Sequence, residues 1–222
     1  MRTGCLLKRS LFQLGFLKKG VVEAIVCTFD AKREPNAAPM GVLTEDMESL
    51  ILQPFTDTLT YRNLLSSRCA TVNITSDPTL YYRTVFKDAN PGGALPKAWF
   101  SDAGVVDAPR LKTADAYLEV RVMNVTGYDT RRAKVTCKVV KVSKAAGLKP
   151  RVYCRAAFAL IESIIHATRI EALISEGDRE GAEKLIHLTH HYADLVKRVA
   201  PESIYLTTVS YTHLRAHETG RN

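Results

Sequence analysis

The stretch "PNAAPMGV" at residues 35–42 lies between two apolar runs that both favour β-structure. "VVEAIVCTF" (21–29) precedes it and is rich in β-branched residues, and "SLILQPF" (49–55) follows it. Because proline has no N–H to donate to a neighbouring strand, we do not expect Pro39 at a central position of a sheet. The small side chains around it leave the backbone open to close approach. Either the side chains of another strand or a flat ligand could occupy that space.

Two long strands with strict alternation follow further along the chain. "AYLEVRVMNV" (116–125) and "AKVTCKVVKV" (133–142) are joined by a predicted hairpin turn, and the break at Val139–Val140 indicates a β-bulge. Further strands are predicted at 20–29, 36–45, 49–55 and 69–75. Since these strands do not alternate regularly with helices, the pattern predicts a closed antiparallel barrel.

Helices are predicted before, within and after the strands. Short ones are expected at 10–17, at 60–67 and after the Asp77–Pro78 helix start. After Pro150 the apolar period changes to 3.6, which predicts a hairpin of two long helices at 155–177 and 179–199. In the first long helix, one apolar stripe and one polar stripe lie on opposite faces. The apolar stripe comprises Phe158, Ile161, Ile165 and Ala172, and the polar stripe comprises Glu162, His166 and Arg169.

Composition describes an ordinary globular protein. Of 222 residues, 46% are hydrophobic and 24% charged, which suits one medium domain with an appendage. The net charge of +8 fits an anionic ligand, but the basic residues are dispersed, so no nucleic-acid partner is expected. No apolar run is long enough to span a membrane, and the first twenty residues lack a signal-peptide cleavage site.

The cysteines and histidines suggest neither disulfides nor a metal site. Five dispersed cysteines without a CxxC pair indicate reduced thiols, and hence a cytoplasmic protein. His187 and His191 have the i, i+4 spacing of metal ligands, but no glutamate lies between them as in HExxH, and no third ligand is evident. We therefore predict no metal.

The last fourteen residues of the chain contain a stretch that resembles an artificial sequence. "VSYTHLRAHET" (209–219) is similar, residue for residue, to the in-frame translation of a transposon adapter used in preparing sequencing libraries. We therefore interpret residues 209–222 as an adapter-derived artefact and expect them to be dispensable for folding.

Four segments in order resemble the FMN-binding split-barrel superfamily, to which flavin reductases and pyridoxamine-phosphate oxidases belong. The segments are "GVVEAIVCTFD…PNAAPMGV", "TYRNLL", "VNITSDP" and "IIHATRIEA". The nearer resemblance, over roughly residues 10–205, is to an uncharacterised, mainly archaeal family that adds a C-terminal helical pair. It implies an α+β fold: an antiparallel split β-barrel of the FMN-binding type at 10–147, then a C-terminal helical hairpin at 150–207.

The resemblance also implies FMN as the cofactor and assigns residues to it. The backbone of residues 38–42 would lie against the isoalloxazine, although a bulged strand with small packing residues is the alternative. The start of the helix at "TYRNL" would bind the phosphate, Arg62 above all, although an ordinary helix start is the alternative. The implied residues are Ala38, Pro39, Met40, Gly41, Val42, Thr60, Tyr61, Arg62, Asn63, Asn73, Thr75, His166 and Arg169.

Two pairs in this set have alternative roles. Asn73 and Thr75 could bind the phosphate or ribityl chain, or could cap the turn into Asp77. His166 and Arg169 could reach an anionic ligand or the cofactor of a partner subunit, or could belong to a solvated face.

The function implied is that of an FMN-binding flavoprotein, an oxidoreductase of flavin reductase-like type. We expect a homodimer with FMN at the subunit interface and a nicotinamide or other small-molecule electron donor. No side chain is an obvious acid or base, so no catalytic residue is assigned, which agrees with chemistry carried by a cofactor. The alternatives are a non-catalytic protein that binds flavin, deazaflavin or haem, and a metal- or nucleic-acid-binding protein in which the barrel is only a scaffold.

Overall fold

The structure is a computed structural model that describes residues 2–127, 129, 131–147 and 149–210. The strands are β1 Val21–Phe29, β2 Pro35–Leu43, β3 Ser49–Leu52, β4 Cys69–Ile74, β5 Phe100–Asp102, β6 Pro109–Leu111, β7 Ala116–Gly127 and β8 Ala133–Lys144. The helices are α1 Arg2–Leu14, α2 Leu59–Ser67, α3 Pro78–Val85, α4 Arg155–Ser175 and α5 Arg179–Val199. The described residues form two compact units, one comprising those up to Lys18 with those of Val22–Tyr153, the other Lys19–Val21 with those from Cys154 onward.

Six strands close into a barrel in the order β1-β2-β3-β8-β7-β4. The ladders of β3 with β8, β8 with β7, β7 with β4 and β4 with β1 are all antiparallel. Alternate residues point into the barrel, where Val26, Leu50, Val72, Leu118 and Val135 are among the fully buried side chains. The barrel and the two long helices confirm the predicted fold class.

β2 and β3 pair over only part of their length. The ladder joins Val42 to Leu52 and Leu43 to Ile51, and continuing this register would bring Met40 opposite Pro54. β2 lies between β1 and β3 in the barrel, and Pro39 lies inside β2. The expectation that Pro39 does not occupy a central strand is therefore wrong. Pro39 precedes the part of β2 that pairs with β3, so the ladder with β3 requires no N–H of it.

The predicted bulge is present in the ladder between β7 and β8. Glu119 pairs with Lys141 and Val120 pairs with Val139, so Val140 is the extra residue. The small hairpin of β5 and β6 was not predicted. Each of its strands has three residues, too few for a period of two to be recognised in the sequence.

The helical unit buries a different face of α4 from the one predicted. The apolar stripe is exposed: Phe158 by 52%, Ile161 by 52% and Ile165 by 37%. The expectation that His166 belongs to a solvated face is wrong, because its side chain is buried. The buried seam is made mainly of small or polar residues at heptad-like spacing, which lets two helices approach closely. It comprises Ala156, Ala159, Ser163, His166 and Ile170.

Residues 204–210 are helical, and Val209 is fully buried. Most of the suspected adapter segment, residues 211–222, lies outside the described residues. Truncation after Ser210 removes residues 211–222 of this segment and keeps the buried Val209.

Among the described helices, none is long and apolar enough to cross a bilayer.

Glu119 holds a loop against the outside of the barrel. Its carboxylate accepts hydrogen bonds from the amides of Gly104 (3.1 Å), Val105 (2.6 Å) and Val106 (3.0 Å), and lies 3.3 Å from Lys141 Nζ. Burial by itself would raise the pKa of Glu119, but these donors outweigh it and hold the pKa below its usual value. The charged form is therefore the stabilising one.

Replacing this carboxylate should destabilise the fold in a pH-dependent way. Glu119→Gln should lower the free energy of unfolding by about 1–3 kcal/mol at pH 7, because the amide cannot accept all the bonds that the carboxylate accepts. A lowered pKa stabilises the folded state above the ordinary glutamate pKa and loses this contribution as the pH falls through the folded-state value. Denaturant unfolding should thus show the difference at pH 7 and a smaller one in acid. Glu48→Gln, at an exposed site, is the control, and equal effects of the two variants would contradict the assignment.

Candidate functional site

A groove of about 530 Å³ lies where β2 separates from β3. One wall is the segment from Ala38 to Gly41 on β2, and the other runs from Gln53, just after β3, to Thr60 in α2. Thr84 and Val85, at the end of α3, line a third side. The structure thus brings five of the predicted residues together at one place. They are Ala38, Pro39, Met40, Gly41 and Thr60.

A network of buried polar side chains supports this groove. The amide nitrogen of Asn36 donates to Thr60 Oγ1 at 2.9 Å and lies 3.5 Å from Thr28 Oγ1. The same Thr28 hydroxyl accepts from Asn63 Nδ2 at 2.9 Å. Because unpaired polar groups are costly to bury, these bonds fix β1, β2 and α2 relative to one another. Asn63, one of the predicted ligands, is therefore a support of the groove wall.

Two cationic side chains line the groove and differ in their surroundings. Arg132 Nε donates to the carboxylate of Asp129 at 3.1 Å, and its guanidinium lies 5.8 Å from the centroid of the Phe55 ring. Lys87 Nζ donates to Asn36 Oδ1 at 2.5 Å. Burial lowers the pKa of Lys87 below its ordinary value, and the neighbouring Cys27 opposes this shift in part.

The first turn of α2 opens onto the groove. Thr58 is the N-cap, and its hydroxyl accepts from the amide of Tyr61 at 3.3 Å. Thr58, Leu59 and Thr60 all line the groove. The amides at the start of a helix lack partners within the helix and favour anions, so this end of the groove suits a phosphate or carboxylate.

Three other predicted residues lie away from the groove lining. Val42 is fully buried in the barrel core, and Tyr61 packs against that core. Arg62 is exposed and its Nη1 donates to the carbonyl oxygen of Asp57 at 3.1 Å. Its guanidinium is therefore held at the helix start, outside the groove lining.

Asn73 and Thr75 are satisfied within the protein. Asn73 Nδ2 donates to Thr71 Oγ1 at 2.9 Å and to the Ile25 carbonyl at 3.1 Å, and its Oδ1 accepts from the Leu111 amide at 2.9 Å. The Thr75 hydroxyl accepts from the amide of Asp77 at 3.1 Å, which is the turn-capping geometry considered as its alternative role.

His166 and Arg169 belong to the helical unit. The His166 ring lies 5.6 Å from that of Tyr192, and its Nδ1 is buried without a hydrogen-bond partner among the described residues. Arg169 is exposed. In the part of the chain that the structure describes, no group of three His, Cys, Asp or Glu side chains could hold a metal ion.

The description "Protein of unknown function (DUF447) N-terminal domain" matches residues 22–146, more than half of the chain. This chain belongs to the DUF447 family. The matched region begins in β1 and extends past the end of β8, so it includes the whole barrel and the groove. Membership confirms the expected resemblance to an uncharacterised family.

Several solved structures are similar to this DUF447 chain. The FMN-bound protein MM1853 from Methanosarcina mazei, also of the DUF447 family, is 24% identical with a TM-score of 0.54, over 94% of this chain and 99% of its own. The 2-nitrobenzoate 2-nitroreductase NbaA of Pseudomonas fluorescens is 18% identical over 65% of this chain and 77% of its own, with a TM-score of 0.48. An FMN-binding protein from Thermus thermophilus is 20% identical over 60% and 77%, also with a TM-score of 0.48. The Methanosarcina structure confirms the predicted split-barrel fold.

Several residues of this DUF447 groove were not predicted from the sequence. Asn36 lies inside the quoted stretch "PNAAPMGV", yet its buried network depends on Thr28, Thr60 and Lys87. Lys87 lies 51 residues along the chain from its partner Asn36. Thr58 was recognisable, since threonine followed by a short helix is a common N-cap signal. For Lys87 and Arg132 the sequence carries no local signal.

Proposed function

We propose that this protein is an FMN-binding flavoprotein that holds the flavin in the groove between β2 and β3. The observation that carries the proposal is the shape and chemistry of that groove: a wall of backbone from Ala38 to Gly41 faces a helix start suited to an anion. FMN has this combination, a flat ring system at one end and a phosphate at the other. The FMN-bound protein of the same family and fold supports the assignment.

The residues present fit FMN in size and in donor set. A volume of about 530 Å³ lies within the range of small-molecule sites. The segment from Ala38 to Met40 offers small or flexible side chains beside the space for a ring, and Gly41 has no side chain to obstruct it. Thr58, Leu59 and Thr60 line the other end, at the start of α2. We place FMN binding in residues 10–147 and treat residues 150–207 as a separate helical domain.

The proposed reaction is electron transfer through the bound flavin, from a nicotinamide or other small-molecule donor to an acceptor. FMN supplies the redox chemistry when bound. The protein binds the ring, orients it and limits water around it with the apolar side chains of Met40, Pro54 and Phe55. No ionisable side chain of the groove is needed as an acid or base in this scheme.

Filling the groove should abolish flavin binding without unfolding the protein. Ala38→Trp places an indole where the ring would lie, so bound FMN in the purified protein should fall at least tenfold, measured by absorbance after release, while circular dichroism stays unchanged. Ala145→Trp, at an exposed position after β8, is the matched control. Equal FMN contents in the two variants would move the site away from the groove, and a wild type that binds no FMN would overturn the proposal itself.

A non-catalytic flavin-binding protein is the second candidate, because none of the described residues lining the groove is a histidine, aspartate or glutamate. The two candidates differ in how the bound flavin responds to an electron donor. If the protein is an oxidoreductase, addition of NADH or NADPH under anaerobic conditions should bleach the flavin absorbance on the timescale of catalytic turnover. Dithionite provides the control for full reduction. Bleaching by dithionite with no response to either nicotinamide would favour the non-catalytic candidate or another donor.

We also propose that the protein is a homodimer. The stripe of Phe158, Ile161, Ile165 and Ala172 on α4 is exposed. Several large apolar side chains exposed along one helix are unusual on a monomer and typical of an interface. A two-fold symmetric contact would let the same stripe of two copies cover each other. FMN at the subunit interface is the arrangement that the resemblance to split-barrel flavoproteins implies.

A charge within the stripe should dissociate this dimer. Ile161→Glu would bury a carboxylate in the contact, so light scattering at micromolar concentration should give half the mass of the wild type. His187→Glu, on the exposed side of α5, should leave the mass unchanged. A wild-type protein that is monomeric with flavin bound would contradict the proposal.

A further inference from the structure

Lys87 is a cation of the groove lining that donates to a neutral group. Among the residues that the structure describes, no carboxylate oxygen lies within 4.0 Å of its ammonium. Its hydrogen-bond partner is the neutral amide oxygen of Asn36. Arg132, the other cation of the groove lining, is paired with Asp129. Of these two cations, Lys87 is therefore the one whose positive charge is not paired with a carboxylate among the described residues.

Asn36 is oriented so that its oxygen faces Lys87. Its nitrogen is used by Thr60 at 2.9 Å, and the side chain is almost fully buried. Turning the amide over would place an NH₂ group against the ammonium and leave the hydroxyl of Thr60 without this donor. The amide thus holds the ammonium at the groove without neutralising it.

The ammonium retains donors for a ligand. It has three N–H groups, and Asn36 accepts one of them within the described part of the chain. Lys87 is half-buried, so an anion beside it is attracted more strongly than in bulk water. The position is thus suited to a negatively charged group within the groove.

We propose that Lys87 is the anion-binding residue of the groove and balances the negative charge of the bound flavin. This inference rests on the proposed flavin site. Two parts of FMN carry such charge: the phosphate at all times, and the ring system in its anionic reduced form. In either case Asn36 is a positioning residue that acts through Lys87.

The two sources of charge give different results in binding measurements. Riboflavin shares the ring of FMN but lacks the phosphate. If Lys87 binds the phosphate, Lys87→Met should weaken FMN about tenfold and leave riboflavin nearly unchanged. If Lys87 balances the reduced ring, oxidised FMN and riboflavin should bind as before. The reduced-to-oxidised affinity ratio, obtained from midpoint potentials of free and bound flavin, should then fall about tenfold.

Three further variants separate charge from structure. Lys87→Arg keeps the charge and should retain most of the wild-type behaviour. Asn36→Asp places a carboxylate against the ammonium and should change binding in the same direction as Lys87→Met while keeping the side-chain shape. Lys112→Met is the matched control, because Lys112 is an exposed lysine that likewise donates to a neutral oxygen, the Ala98 carbonyl at 2.9 Å. Thermal unfolding by circular dichroism identifies any variant that fails to fold.

The outcomes distinguish this inference from the proposed function. A loss in either measurement with Lys87→Met and Asn36→Asp, but not with Lys112→Met, supports the assignment and identifies the charge concerned. A folded Lys87→Met variant with unchanged FMN affinity, riboflavin affinity and midpoint potential overturns it, as does an equal effect of Lys112→Met. A wild type that binds neither flavin overturns the proposed function instead.

Discussion

The opening of the barrel depends on the inability of proline to donate a hydrogen bond. β2 carries Pro39, and Pro54 follows β3 at the place where continued pairing would bring it opposite Met40. Neither residue can extend the ladder, which joins only Val42–Leu43 to Ile51–Leu52. The strands separate beyond this ladder, and backbone that would otherwise lie inside a sheet forms the wall of a groove.

A barrel with an open seam needs other bonds to keep its shape there. The hydroxyl of Thr28 accepts from Asn63 and lies at hydrogen-bond distance from Asn36, and Asn36 in turn donates to Thr60. These side chains hold β2 beside the open seam, because they connect β1 and β2 to α2. A buried polar network with its partners satisfied is also directional, so it holds the groove wall in one geometry. The groove is consequently preformed, which lowers the ordering cost of binding a ligand.

The sequence predicted the parts of this structure that are determined locally. Alternation located β7 and β8, and the irregular Val139–Val140 pair predicted the bulge between them. The face that α4 buries was not predictable in the same way, since periodicity shows an apolar stripe but not which surface covers it. The contact of Lys87 with Asn36 joins residues 51 apart through the end of α3 and the start of β2. Such a pair depends on tertiary placement, and neither residue differs in sequence from an ordinary loop or strand residue.

Glu119 and Lys87 show how the partners of a buried charge indicate its role. Glu119 is fully buried, accepts from three amides and lies beside Lys141, so its charge is balanced within the protein. Lys87 is half-buried and held by one neutral amide in a groove open to solvent. A charge fully satisfied by its own chain stabilises that chain, and a ligand gains little from it. A charge that the fold positions without neutralising retains its attraction for an anion, so Lys87 and not Glu119 is the residue with capacity to act on a ligand.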